Sequence, residues 1–163
     1  MEIAPFDPGR DVPHAVVREE DVQLVLAADP VVPPPHQSLR TLEAAAMAAP
    51  AHRPGTVVVR PGRPLRLLAV IHDLDREPSW SEAWIADALD GVFRESRWRG
   101  LTGIATPLLG TVHGRLPVPR ATELLAAALQ RAADTCPDTL WLEDAPGDVL
   151  ACLRRRFARA TDR

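Results

Sequence analysis

The sequence predicts an α/β domain of three layers, α/β/α, built on a mixed and mostly parallel sheet. Three observations carry that expectation. Short apolar runs rich in valine, isoleucine and leucine alternate with stretches of helical periodicity. Proline and glycine clusters punctuate the boundaries between them. At 163 residues the chain is the size of one domain, with no internal repeat and no linker dividing it. One domain over residues 1–163 is therefore expected.

Residues 1–14 contain three prolines and no periodicity, and read as an N-terminal arm or an edge segment. Val22 to Ala27 is a β-branched apolar run, hence a buried strand. Asp29-Pro30 and the following Val31-Val32-Pro33-Pro34-Pro35 cannot be helical and read as an extended loop. Ser38 to Ala49 is rich in alanine and leucine, with Ser38 placed to cap a helix. Strands follow at Thr56–Arg60 and Leu65–Leu74.

Trp84, Ile85, Ala88, Leu89, Val92 and Phe93 then fall on one helical stripe, with Ser81 as N-cap and Gly100 as stop. Leu101–Leu109 is the next strand and Gly110–Pro117 a loop. Pro119 suits the first turn of a helix reaching about Ala133. Thr139–Glu143 is the last strand. Asp144 is placed to cap a closing helix from Ala145 to about Ala160.

Composition narrows the function. The chain is 46% hydrophobic and 25% charged, which is ordinary globular composition. No apolar run approaches the roughly 18 residues a membrane span requires, and the acidic N-terminus has no secretory signal. A cytoplasmic protein that does not engage membranes is expected. Net charge is −3, so no global field favours nucleic acid. Arg154, Arg155, Arg156 and Arg159 spread around their helix and complement its C-terminal dipole, rather than forming a basic stripe. Cys136 and Cys152 read as buried thiols, not a disulfide framework. All basic residues are arginine, and lysine, tyrosine and asparagine do not occur. That excludes a lysine Schiff base, a P-loop lysine and an asparagine that orients ribose or water.

In parallel sheets ligands gather beyond the carboxyl ends of the strands. The segment from Gly110 through Thr111, Val112, His113, Gly114 and Arg115 lies between a strand and a helix. Its glycines permit tight turns, and its amides with the helix dipole favour an anion. Arg115 could bind phosphate or carboxylate with both arms of its guanidinium. His72, Asp73, Asp75 and His113 match no metal signature, so no metal and no cofactor are expected. His113 has no evident nucleophile beside it except Thr111. Trp80, Trp84, Trp98 and Trp141 read as packing residues, one of which could stack on a base.

Gly103-Ile104-Ala105-Thr106-Pro107-Leu108-Leu109-Gly110 and the turn that follows resemble the second phosphate-binding loop of macro domains. Pro54–Gly62 and Leu68–His72 are similar to the family's "GxVxxTxG…VIH" stretch, and Val25-Leu26-Ala27-Ala28-Asp29 to its "VNAAN". The resemblance spans about residues 21–144. It implies a macro-domain-like fold and a cradle for the diphosphate of ADP-ribose, with Ala28 and Asp29 beside it. Leu26 and Asp29 stand at the family's two asparagines, Val31–Gln37 replaces its glycine-rich first loop, and Val112 and Arg115 replace glycines of the second. Those departures imply that the family's usual hydrolysis is lost and that the second loop is reshaped, valine being strained at positive φ.

Three functions follow as expectations: a module that binds ADP-ribose or another anionic metabolite without turning it over; a scaffold for protein contacts or a homodimer; and a divergent ADP-ribose or phosphoester hydrolase.

Overall fold

The computed structural model describes residues 1–26, 50–132 and 136–161, with side chains to Phe157. Among the described residues six strands form one sheet: β1 (Glu2–Pro5), β2 (Ala15–Asp21), β3 (Val57–Arg60), β4 (Leu65–His72), β5 (Gly103–Thr106) and β6 (Thr139–Leu142). Their order is β1-β6-β5-β2-β4-β3. Only β3, hairpinned to β4, runs antiparallel to its neighbour. Three helices follow β4, β5 and β6: α1 (Glu82–Arg99), α2 (Val118–Arg131) and α3 (Gly147–Thr161). The sequence therefore folds as the mixed, mostly parallel α/β architecture it predicts.

Handedness places the helices. The connections β4–α1–β5 and β5–α2–β6 step the same way across the sheet, and right-handed crossovers then put α1 and α2 on one face. Leu67, Ala69 and Ile71 of β4 join the core beneath these helices. Leu68 and Val70, equally buried, point to the opposite face by strand alternation. The helix expected at Ser38–Ala49 falls outside the described residues.

Local signals set the helix ends. The Ser81 hydroxyl accepts the Trp84 N–H at 3.3 Å, and Gly100 takes the left-handed conformation (φ 62°) that ends α1. Among the described residues no helix is long and apolar enough to cross a membrane.

Two expectations are corrected. The central strand is Ala15–Asp21, not Val22–Ala27; Val22 to Leu24 turn away from the sheet, Leu24 at φ 58°. Within residues 1–14, which the sequence leaves as an arm or an edge segment, β1 is an edge strand paired in parallel with β6. Asp144 does not cap α3, which starts at Gly147 after Asp144 has turned through φ 50°.

At Gly103 the sheet leaves no room for a side chain: a Cβ there would stand 2.6 Å from the ring of Trp141 on β6. Gly103→Ala should cost about 1–3 kcal/mol by overpacking. Combining it with Trp141→Leu should recover part of that loss, measured as a double-mutant cycle in denaturant unfolding.

Candidate functional site

The connections leave β2 toward one edge of the sheet and β5 toward the other. Between those two strands, beyond their carboxyl ends, is the place where such a sheet opens a crevice. A cavity of about 400 Å³ lies there. Arg18 and Glu19 of β2 line it, with Pro107 and Leu108 after β5, Thr111 to His113 of the turn, and Glu143 and Asp144 after β6.

The turn is shaped by two left-handed residues, Gly110 (φ 90°) and Arg115 (φ 55°). Val112 is not among the positive-φ residues, so the turn accepts valine without strain. Gly114 is needed for a different reason: a Cβ on it would stand 2.7 Å from the Gly110 carbonyl oxygen and 3.3 Å from the Trp80 ring. The backbone closes with the Leu116 N–H donating to the Gly110 carbonyl at 2.9 Å.

The amides of this turn converge on a carboxylate, and the carboxylate belongs to the chain. Glu19 Oε1 accepts the N–H of Gly110 at 2.6 Å and of Val112 at 3.3 Å. Its Oε2 accepts the N–H of His113 at 3.1 Å and stands 3.1 Å from His72 Nε2. Glu19 is 3% exposed and His72 1%. Burial by itself pushes the Glu19 carboxyl up, but His72 and the amides of His113, Gly110 and Val112 outweigh it and hold the group below the usual carboxylate range.

The adjacent side chains extend this framework. Arg18 Nη1 donates to both carboxylate oxygens of Glu143 at 2.8 Å, joining the ends of β2 and β6 across β5. The His113 ring meets the His72 ring edge-on, centroids 6.0 Å apart. Thr111 Oγ1 is spent on the Leu108 carbonyl at 2.7 Å. The start of α2 offers little to an anion: Pro119 has no N–H, and the N–H groups of Arg120 and Ala121 donate to the Pro117 carbonyl.

The residues expected at the site therefore divide. Gly110, Thr111, Val112 and His113 form the turn over the crevice, while Gly114 packs beneath it and Arg115 is exposed beyond it. Ala28 and Asp29 lie outside the described residues. The strand that ends beside the crevice is Ala15–Asp21, which brings Arg18 and Glu19, unforeseen, to its lining. Glu143 was also missed. Alternation was the available signal: Ala15, Val17 and Glu19 share one side of the strand, which puts an acid in register with core residues. His72 turns inward to Glu19, whereas Asp73 bonds Arg76 at 3.0 Å. Trp98 is 75% exposed, with the Arg99 guanidinium 4.8 Å from its ring centroid.

No family model matches the chain, and no curated protein matches it. Solved structures do. A mutant of the Oceanobacillus iheyensis macrodomain superposes with a TM-score of 0.67 at 13% identity, covering 98% of this chain and 92% of that one. Another mutant of that macrodomain, with ADPR, gives 0.66 at 12% identity over 99% and 93% of the two chains. The macro domain of ganglioside induced differentiation associated protein 2 gives 0.64 at 12% identity over 95% and 82%. The chain has the macrodomain fold, in a divergent form.

Because its pKa lies below the reference 4.5, Glu19 contributes stability above that pH and loses it as acid titrates the folded carboxylate. Glu19→Gln should lower stability by about 1–3 kcal/mol at pH 7. The gap between wild type and variant should close as pH falls below about 4.5, followed by thermal unfolding at stepped pH.

Proposed function

We propose that this macrodomain-like module binds a nucleotide-derived ligand of the ADP-ribose kind in the crevice between β2 and β5, and does not hydrolyse it. The observation that carries this reading is the convergence of the Gly110, Val112 and His113 amides on one acid group. A turn that gathers three N–H donors around one carboxylate has the geometry to receive a phosphate oxygen. The crevice beside it falls within the roughly 300–1,000 Å³ range of small-ligand sites. Among the structural neighbours, the Oceanobacillus iheyensis macrodomain has been solved with ADP and, as a mutant, with ADPR, which supports a ligand of that class.

The chemistry of the lining favours binding over turnover. The Thr111 hydroxyl is held by a backbone carbonyl, and the sequence has no asparagine to orient a water or ribose. We place the module in the cytoplasm.

A second reading has one specific observation in its favour. The amides already hold Glu19, so a chain that had abandoned small ligands for protein contacts would look the same at this turn.

Calorimetry with ADP-ribose, ADP and inorganic phosphate separates the two readings. Saturable heat with ADP-ribose is expected, with the ligand recovered intact. It should be lost in Gly110→Val, where the residue must adopt φ 90° and its Cβ would stand 2.6 Å from Ile85 Cδ1. Silence toward all three compounds, from wild type and from Glu19→Ala alike, would select the scaffold.

A further inference from the structure

We infer that Glu19 is a built-in competitor for the anion its own turn would hold, so that a ligand phosphate enters by evicting this carboxylate and Glu19 sets the site's affinity. The inference rests on the binding function proposed above and adds the residue that controls it.

Glu19 does more than a core ion pair requires. An acid at the end of β2 could be neutralised by His72 alone, 3.1 Å away. Instead both of its oxygens reach the turn, and three successive contacts tie them to Gly110, Val112 and His113. Its stem follows Ala15 and Val17 on the core side of the strand, so the carboxylate is delivered where the sheet ends and the crevice begins. Held on a short tether, it acts as an anion at high local concentration, which an external phosphate must displace. Two anions cannot share the same three amides without strong repulsion.

The surroundings set the sign of the proton linkage. Glu19 is faced by His72 from β4 and His113 from the turn, with the Arg18–Glu143 pair and Asp144 across the crevice and Glu20 and Asp21 on its own strand. Once evicted, the carboxylate loses its amide donors and stands near phosphate, Glu143 and Asp144. Each of those changes favours its protonated form. Phosphate binding to the wild type therefore takes up a proton and strengthens as pH falls toward 5.

The test uses the full chain as wild type, Glu19→Ala and Glu19→Gln, titrated with inorganic phosphate and with ADP-ribose. Glu19→Ala should bind phosphate at least about tenfold more tightly than wild type, a gain of about 1.4 kcal/mol. Its Tm should be lower, and phosphate or acetate should raise it while leaving the wild type nearly unmoved. Heats of ADP-ribose binding in two buffers of different ionisation enthalpy should show proton uptake for the wild type and none for Glu19→Ala.

Should Glu19→Ala fail to fold, Glu19→Gln decides by the same comparison, since it removes the charge and keeps the volume. Phosphate affinity in the folded variants equal to or below that of wild type overturns the inference. ADP-ribose binding that is the same in all three proteins also overturns it and leaves the proposed function standing. Tight phosphate binding to Glu19→Ala without ADP-ribose binding upholds the competitor and removes the nucleotide ligand.

Discussion

A single buried carboxylate organises the functional end of this molecule. Glu19 sits at the carboxyl end of the central strand, where it is bonded to the turn after β5 through three amides and stands beside His72 of β4. An isolated charge at that depth would be costly to bury, and these donors are what make it tolerable. The dependence runs both ways. Other N–H groups of the turn are used internally, Thr111 donating to the Leu108 carbonyl and Leu116 to the Gly110 carbonyl. Removing Glu19 would thus leave the turn with unsatisfied donors, as well as a cavity.

Around that centre the crevice is braced rather than open. The Arg18–Glu143 pair spans from β2 to β6, and its two 2.8 Å contacts from one guanidinium nitrogen fix the distance between strands that do not pair with each other. Partly exposed as it is, the pair contributes geometry more than stability. Beneath the turn, Gly114 allows Trp80 to pack against the backbone, so that this tryptophan supports the loop instead of facing a ligand. The fold places these parts together; it does not by itself say what they bind. The ligand reading comes from the convergent amides.

The parts of the structure legible in the sequence were those set by local chemistry. Ser81 and Gly100 bound α1 as their side-chain and backbone preferences dictate, and the stripe of Ile85, Ala88, Leu89, Val92 and Phe93 is buried. The valines of β3 and the run of β4 were visible as apolar segments with glycine and proline at their margins. The glycines at 110 and 114 marked a turn that needs them, one for its φ and the other for close approach. β2 was hidden because Arg18-Glu19-Glu20-Asp21 looks like a solvated charge run, while Val22–Ala27 nearby has the apolar composition of a strand. Glu19, Glu20 and Asp21 are all buried, and the alternation of Ala15, Val17 and Glu19 is the one local hint of it.

From its residues alone, then, this chain determined its class, the periodicity of its helices and the presence of a glycine turn after the fourth predicted strand. Those properties depend on interactions within a few residues, and the chain carries them wherever it folds. Which strand lies at the centre, and which group fills the turn, was decided only when residues 19, 72 and 110–113 were brought together by the sheet. Hydrogen bonds between Glu19 and amides about 90 positions away have no local signature, because their free energy depends on desolvation and geometry that exist only in the folded state.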